Sequence, residues 1–84
     1  MSHVNLLTIY HLSRPPESVR YDENYGFTIT APDEYTARLI AASNSGDEGR
    51  STWTNIALSS CTVIGVLTHP DPTPRIILSS FNAG

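Results

Sequence analysis

Cys61, the histidines His3, His11 and His69, the serines that open the pairs at Ser59 and Ser79, and the loop carboxylates are the side chains of this chain suited to nucleophilic, acid–base or metal chemistry. Their spacing forms no diagnostic arrangement. A Cys61–His11 couple would need its two strands to be neighbours, and it would need an accessible, electropositive setting to hold a thiolate. Without these, Cys61 at the start of a strand is a small buried hydrophobe. His11 and His69 with Asp22 or Asp71 are the one combination of metal-ligand type, and no His-x-x-x-His pair supports it. The glycines Gly26, Gly46, Gly49, Gly65 and Gly84 build no phosphate-cradling loop, and the carboxylates in Gly46-Asp-Glu-Gly49 would repel a phosphate. The expectation is a chain with no catalytic residues, no metal and no cofactor.

A chain of 84 residues allows one domain, residues 1–84, with one modest core to position these side chains. A single cysteine excludes an intramolecular disulfide and a multi-cysteine zinc site, so packing alone must hold the fold. The net charge is −3, and the five basic residues, all arginine, are dispersed at positions 14, 20, 38, 50 and 75. Direct nucleic-acid binding therefore lacks the clustered cations that phosphate neutralisation requires. A weakly acidic protein suits a basic partner surface instead. No window approaches the roughly 20 apolar residues of a membrane-spanning helix. The opening Met-Ser-His-Val-Asn has no basic segment leading into an apolar stretch. A cytoplasmic location, with no membrane contact, is expected.

The elements follow from periodicity. Residues 4–12 are rich in strand formers, with Leu7, Ile9 and His11 on one face and Leu6, Thr8, Tyr10 and Leu12 on the other. The Arg14-Pro-Pro-Glu run ends that strand, and a long polar loop leads to a second over residues 25–31, which places Tyr25, Phe27, Ile29 and Ala31 on a common face. Pro32 suits a first helical position, with Asp33 and Glu34 complementing the helix dipole. Ala37, Ile40 and Ala41 form the inward stripe, and Ser43-Asn-Ser-Gly46 predicts a left-handed C-terminal cap. Residues 47–60 read mainly as loop, with a short turn at 54–58. Strands at 62–67 and 75–80 flank a rigid, proline-rich connection.

This order predicts an α+β fold, ββαββ, in which a four-stranded, mainly antiparallel sheet carries one helix on one face. A spatial order of second, first, third and fourth strand, with the last two as a hairpin, keeps every neighbouring pair antiparallel. If Leu7 and Ile9 face the helix, Leu6, Tyr10 and Leu12 fall on the uncovered face as a contact row.

Acidity collects in the loops, together with aromatic residues of the kind enriched at binding hot spots. The candidate partner-binding residues are Tyr21, Asp22, Glu23 and Tyr25 in the first loop, and Asp47, Glu48 and Trp53 in the second. Trp53 and Phe81 have the alternative role of pinning a loop and closing a sheet edge. Neutralising Asp22, Glu23, Asp47 and Glu48 together is expected to abolish binding.

Several of these features recur as a set: Tyr21-Asp-Glu-x-Tyr25-x-Phe27, Ala31-Pro-Asp-Glu-x-x-Ala37-Arg-x-x-Ala41, Gly46-Asp-Glu-Gly49, Trp53, Ser60-Cys61 and Ser80-Phe-Asn-Ala-Gly84. Across nearly the whole chain this set resembles small proteins of unknown function encoded by bacteriophages and prophages. The resemblance implies a non-enzymatic module that binds a host protein or protein–nucleic acid complex with a basic surface, as anti-CRISPR inhibitors of host defence do. The alternative is a structural or accessory phage protein that self-associates through sheet edges, and the expected state is a monomer or a homodimer.

Overall fold

The computed structural model describes residues 6–15, 17, 19–68 and 73–82. It contains β1 (Leu6–Ser13), β2 (Glu23–Ala31), α1 (Glu34–Ser43), α2 (Ser51–Thr54), β3 (Ser60–Thr68) and β4 (Arg75–Asn82). The fold is α+β, with a four-stranded sheet of order β3-β1-β2-β4 in which all three pairings are antiparallel. Among the described residues no helix is long and apolar enough to cross a membrane.

The expected strand order is corrected at β4. Instead of forming a hairpin with β3, it pairs with the far side of β2, so β3 and β4 are opposite edges of the sheet. The connection His69-Pro-Asp-Pro-Thr-Pro74 has none of the Asn-Gly or Gly-x chemistry that closes a tight hairpin. Six residues reach about 20 Å when extended. That covers the three strand spacings between β3 and β4, about 14 Å.

Which face of β1 joins the core with the helices is fixed by its partner, although Leu7 is buried as well. Leu12 stands opposite Phe27 and Tyr10 opposite Ile29, and directly opposed residues share a face. Once β2 turns Phe27, Ile29 and Ala31 toward the helices, Tyr10 and Leu12 must follow, and all five belong to the core with Ala37, Ala41, Ala42 and Trp53. The outward row of Leu6, Tyr10 and Leu12 is therefore reversed at Tyr10 and Leu12. Trp53, fully buried, meets Phe27 edge-on with ring centroids 5.0 Å apart.

Helix α1 begins at Glu34, two residues later than Pro32 at the first helical position suggests. Asp33 is its N-cap, in extended conformation, and its carboxylate accepts from the Thr36 N–H at 2.7 Å. The hydrogen bonds to Thr36 hold this exposed carboxyl below its ordinary value. At the other end the C-cap is Asn44 with φ −117°, so the expected left-handed cap is replaced by side-chain donors. Ser43 Oγ, Asn44 Nδ2 and Ser45 Oγ donate to the carbonyls of Leu39, Ile40 and Ala42. Ile40 and Ala42 are among the last four carbonyls, which a helix leaves without internal partners, and Leu39 lies one position before them.

Two features escape the periodicity. Helix α2 lies within the segment read as loop, followed by a turn in which Ala57 N–H donates to Asn55 Oδ1. Arg38, on the inner side of α1, is buried and serves as the joint between both helices and the foot of β3. It donates to Trp53 O at 2.9 Å, Ser59 Oγ at 3.0 Å and Ser59 O at 3.1 Å, and it pairs with Glu34 at 2.8 Å. Removing it strands buried acceptors. Arg38→Ala is expected to cost about 3 kcal/mol in urea unfolding, with Arg38→Lys recovering only part, because an ammonium cannot reproduce the planar fork.

Candidate functional site: an acidic and aromatic corner

The two acidic loops meet at the start of β2, and the residue that joins them is Glu48. Its Oε1 accepts from the backbone N–H groups of Asn24 (3.1 Å) and Gly46 (2.9 Å). Its Oε2 accepts from Asn24 Nδ2 (2.9 Å) and Trp53 Nε1 (2.7 Å), while its own carbonyl accepts from Thr52 Oγ1. One carboxylate thus ties β2, the loop after α1 and the core tryptophan together. Partial burial pushes its carboxyl up, but the hydrogen bonds from Asn24 and Trp53 outweigh this and hold it below the ordinary value of 4.5.

Beside this clamp the Asp47 N–H donates to Asp22 O at 2.8 Å. Asp22 has φ 61°, a left-handed conformation that aspartate and asparagine tolerate better than most residues. Gly46 fits between the Asp22 carbonyl and the Phe81 ring, where any Cβ would collide with the backbone oxygen. Tyr21 is 72% exposed, Phe81 49% exposed, and Asp22 and Asp47 are exposed. The corner therefore presents two aspartates and two aromatic side chains on a backbone fastened from beneath.

The structure divides the seven candidate residues. Tyr21, Asp22 and Asp47 stand on the surface of the corner. Glu23 and Glu48 face inward as fasteners. Glu23 pairs with Arg14 at 3.3 Å, with both side chains largely covered, and accepts from the Arg20 N–H at 2.9 Å. Trp53 is a core residue and presents nothing to a partner, in keeping with the loop-pinning alternative. Tyr25 does not share the face of Phe27. The β2–β4 register shifts between Asn24 and Gly26, leaving Tyr25 as the extra residue. It lines a groove on the opposite face with His11, Arg14, Thr28, Leu78 and Ser80. Asn24, not singled out from the sequence, completes the corner through Glu48, and Phe81, weighed there between partner contact and sheet-edge closure, pairs with Asn24 and is half exposed.

The chemical alternatives take definite positions. β1 and β3 are neighbours, but Cys61 stands opposite Leu12 and His11 opposite Thr62, so thiol and imidazole belong to opposite faces. Burial, reinforced by the charge of Glu34 and opposed by that of Arg38, pushes the thiol up to about 11. His3, His69 and Asp71 lie outside the described residues. Among the described residues no group of three or more His, Cys, Asp or Glu side chains could hold a metal ion.

The clamp carries a pH dependence with a definite sign. A carboxyl whose value is depressed by folding contributes stability above its unfolded value and loses that contribution as pH falls through its folded value. Wild-type protein is expected to lose stability below about pH 4.5 more steeply than Glu48→Gln, whose amide cannot accept at both positions. Urea midpoints measured from pH 7 to pH 3 check this, and parallel curves for the two proteins would remove Glu48 from the account.

Comparison with family models, with curated proteins and with solved structures finds no match for this chain.

Proposed function

We propose that this chain is a non-catalytic protein-binding module that uses the corner of Tyr21, Asp22, Asp47 and Phe81 to engage a basic surface on a protein or protein–nucleic acid complex. In the phage setting that its sequence resembles, such a module is an inhibitor of a host defence complex, of the anti-CRISPR kind. One observation carries the reading. Exposed carboxylates and aromatic rings sit on a backbone already fixed by Glu48 and by the Asp47–Asp22 hydrogen bond. Aromatic side chains supply contact area, acidic ones steer a cationic partner, and a fixed backbone lowers the ordering cost of association.

The structure also refines which residues test this. Neutralising Glu23 or Glu48 would loosen the fold and confuse lost binding with lost structure. Asp22→Asn with Asp47→Asn removes two surface charges and keeps a residue that tolerates the left-handed conformation at position 22. Affinity capture from a host extract, followed by titration of the captured complex, is expected to show about tenfold weaker binding for the double variant and a flatter salt dependence. Unchanged affinity and unchanged salt dependence would exclude the corner as the contact.

A second reading, a structural or accessory protein whose copies associate through sheet edges, is favoured by a separate observation. Val63, Ile64 and Val66 on β3 are 60%, 58% and 60% exposed, and Ile77 and Leu78 on β4 are 53% and 65% exposed.

A further inference from the structure

We infer that β3 is a homotypic docking edge, at which a second copy of this chain adds its own β3 antiparallel to extend the sheet from four strands to eight. The inference builds on the edge-association reading and narrows it to one edge and one occupant.

The starting point is the chemistry of the strand. Ser-Cys-Thr-Val-Ile-Gly-Val-Leu-Thr, residues 60–68, contains no charged residue and no proline, although β3 is a nine-residue strand at the margin of the sheet. Sheet proteins ordinarily protect such margins with lysine, proline or bulges, because the outward N–H and C=O groups are a template for another strand. Here the protection amounts to one register shift against β1, between Ile9 and Tyr10, and apolar side chains are left in the open beside the template. β4 is better guarded. It begins at the exposed Arg75 directly after Pro74, and its pairing with β2 shifts register twice.

Strand chemistry selects the edge, and charge bears on the occupant. The acidic corner lies at the start of β2 against the end of β4, where Glu23 pairs with Asn82 and Asn24 with Phe81. Joining two copies antiparallel through β4 would set the two β2 strands three strand spacings apart, about 14 Å, with the two corners at opposite ends of the junction. Joining them through β3 separates the two β2 strands by five strand spacings, about 24 Å. That is about three Debye lengths at physiological salt, so repulsion between the corners is screened. Glu34, whose charge reaches Cys61 at the foot of β3, is paired with Arg38. An uncharged strand offers nothing with which to select a charged partner, whereas two identical strands related by a two-fold axis are self-complementary and form a closed pair. The resulting dimer carries one corner toward each outer margin, a bivalent arrangement.

Sedimentation velocity of the full chain from low micromolar to near-millimolar concentration tests this. A monomer–dimer equilibrium is expected. Ile64→Lys or Val66→Lys should weaken it by at least about tenfold by placing a charge on each side of the junction, and Ile77→Lys on β4 should leave it unchanged. Circular dichroism checks that each variant folds. Should the lysine variants unfold, amide hydrogen exchange of wild-type protein at low and high concentration decides, with concentration-dependent protection expected in β3 and not in β4. A strict monomer at the highest concentration overturns both the inference and the edge-association reading. A dimer broken by Ile77→Lys but not by Ile64→Lys, or an open-ended series of larger species, overturns the β3 pairing while the edge reading survives. None of these outcomes touches the corner, which is tested separately by Asp22→Asn with Asp47→Asn.

Discussion

The Glu48 carboxylate is the constraint on which the organisation of this small protein depends. Four N–H donors from Asn24, Gly46 and Trp53 converge on its two oxygens. The three donor residues come from the start of β2, the loop after α1, and α2. Two of these are weakly fixed alone: the loop has little apolar area to bury, and α2 is one helical turn, too short to persist without tertiary support. A partly buried carboxylate is costly unless its lone pairs are satisfied. Satisfying them here requires all three elements to be in place at once, so the electrostatic demand of one side chain imposes order on its neighbours.

Arg38 plays the complementary part on the other side of the core. Its guanidinium reaches carbonyl oxygens of α2 and of the segment entering β3, and Glu34 holds it from the helix surface. The two charged residues thus grip Trp53 from opposite ends, Glu48 at the indole nitrogen and Arg38 at the backbone carbonyl. Alanines supply much of the α1 contact with the sheet, so this polar bracing compensates for a helix face that contributes few large side chains.

How far the sequence could be read follows from which interactions are local. The alternation through Phe27, Ile29 and Ala31 and the acidic start of α1 depend on neighbours in the chain, and the elements they imply are present. Which residues of β1 join the cluster with the helices depended on a partner strand, since Leu7 with Ile9 and Tyr10 with Leu12 are equally apolar sets, Leu7 is itself buried, and the pairing with β2 puts Tyr10 and Leu12 in the cluster. Tyr25 was misplaced because a bulge has no signature in an alternating pattern. Of the corner, the acidic and aromatic composition was legible at Tyr21, Asp22 and Asp47. The division of labour between exposed aspartates and inward glutamates was not, because Glu23 and Glu48 find some of their donors across 9 and 24 residues of chain. Strand order failed for the same reason, as nothing in a proline-rich connection says which edge it serves.

The position of Trp53 has a practical consequence. It is the sole tryptophan of the chain, sealed from solvent, in contact with Phe27 and hydrogen-bonded to the residue that fastens the corner. Its ultraviolet emission is therefore a built-in optical gauge of one joint. Loosening of the Glu48 clamp would admit water to the indole and shift the spectrum to the red, even while the strands beneath remain paired.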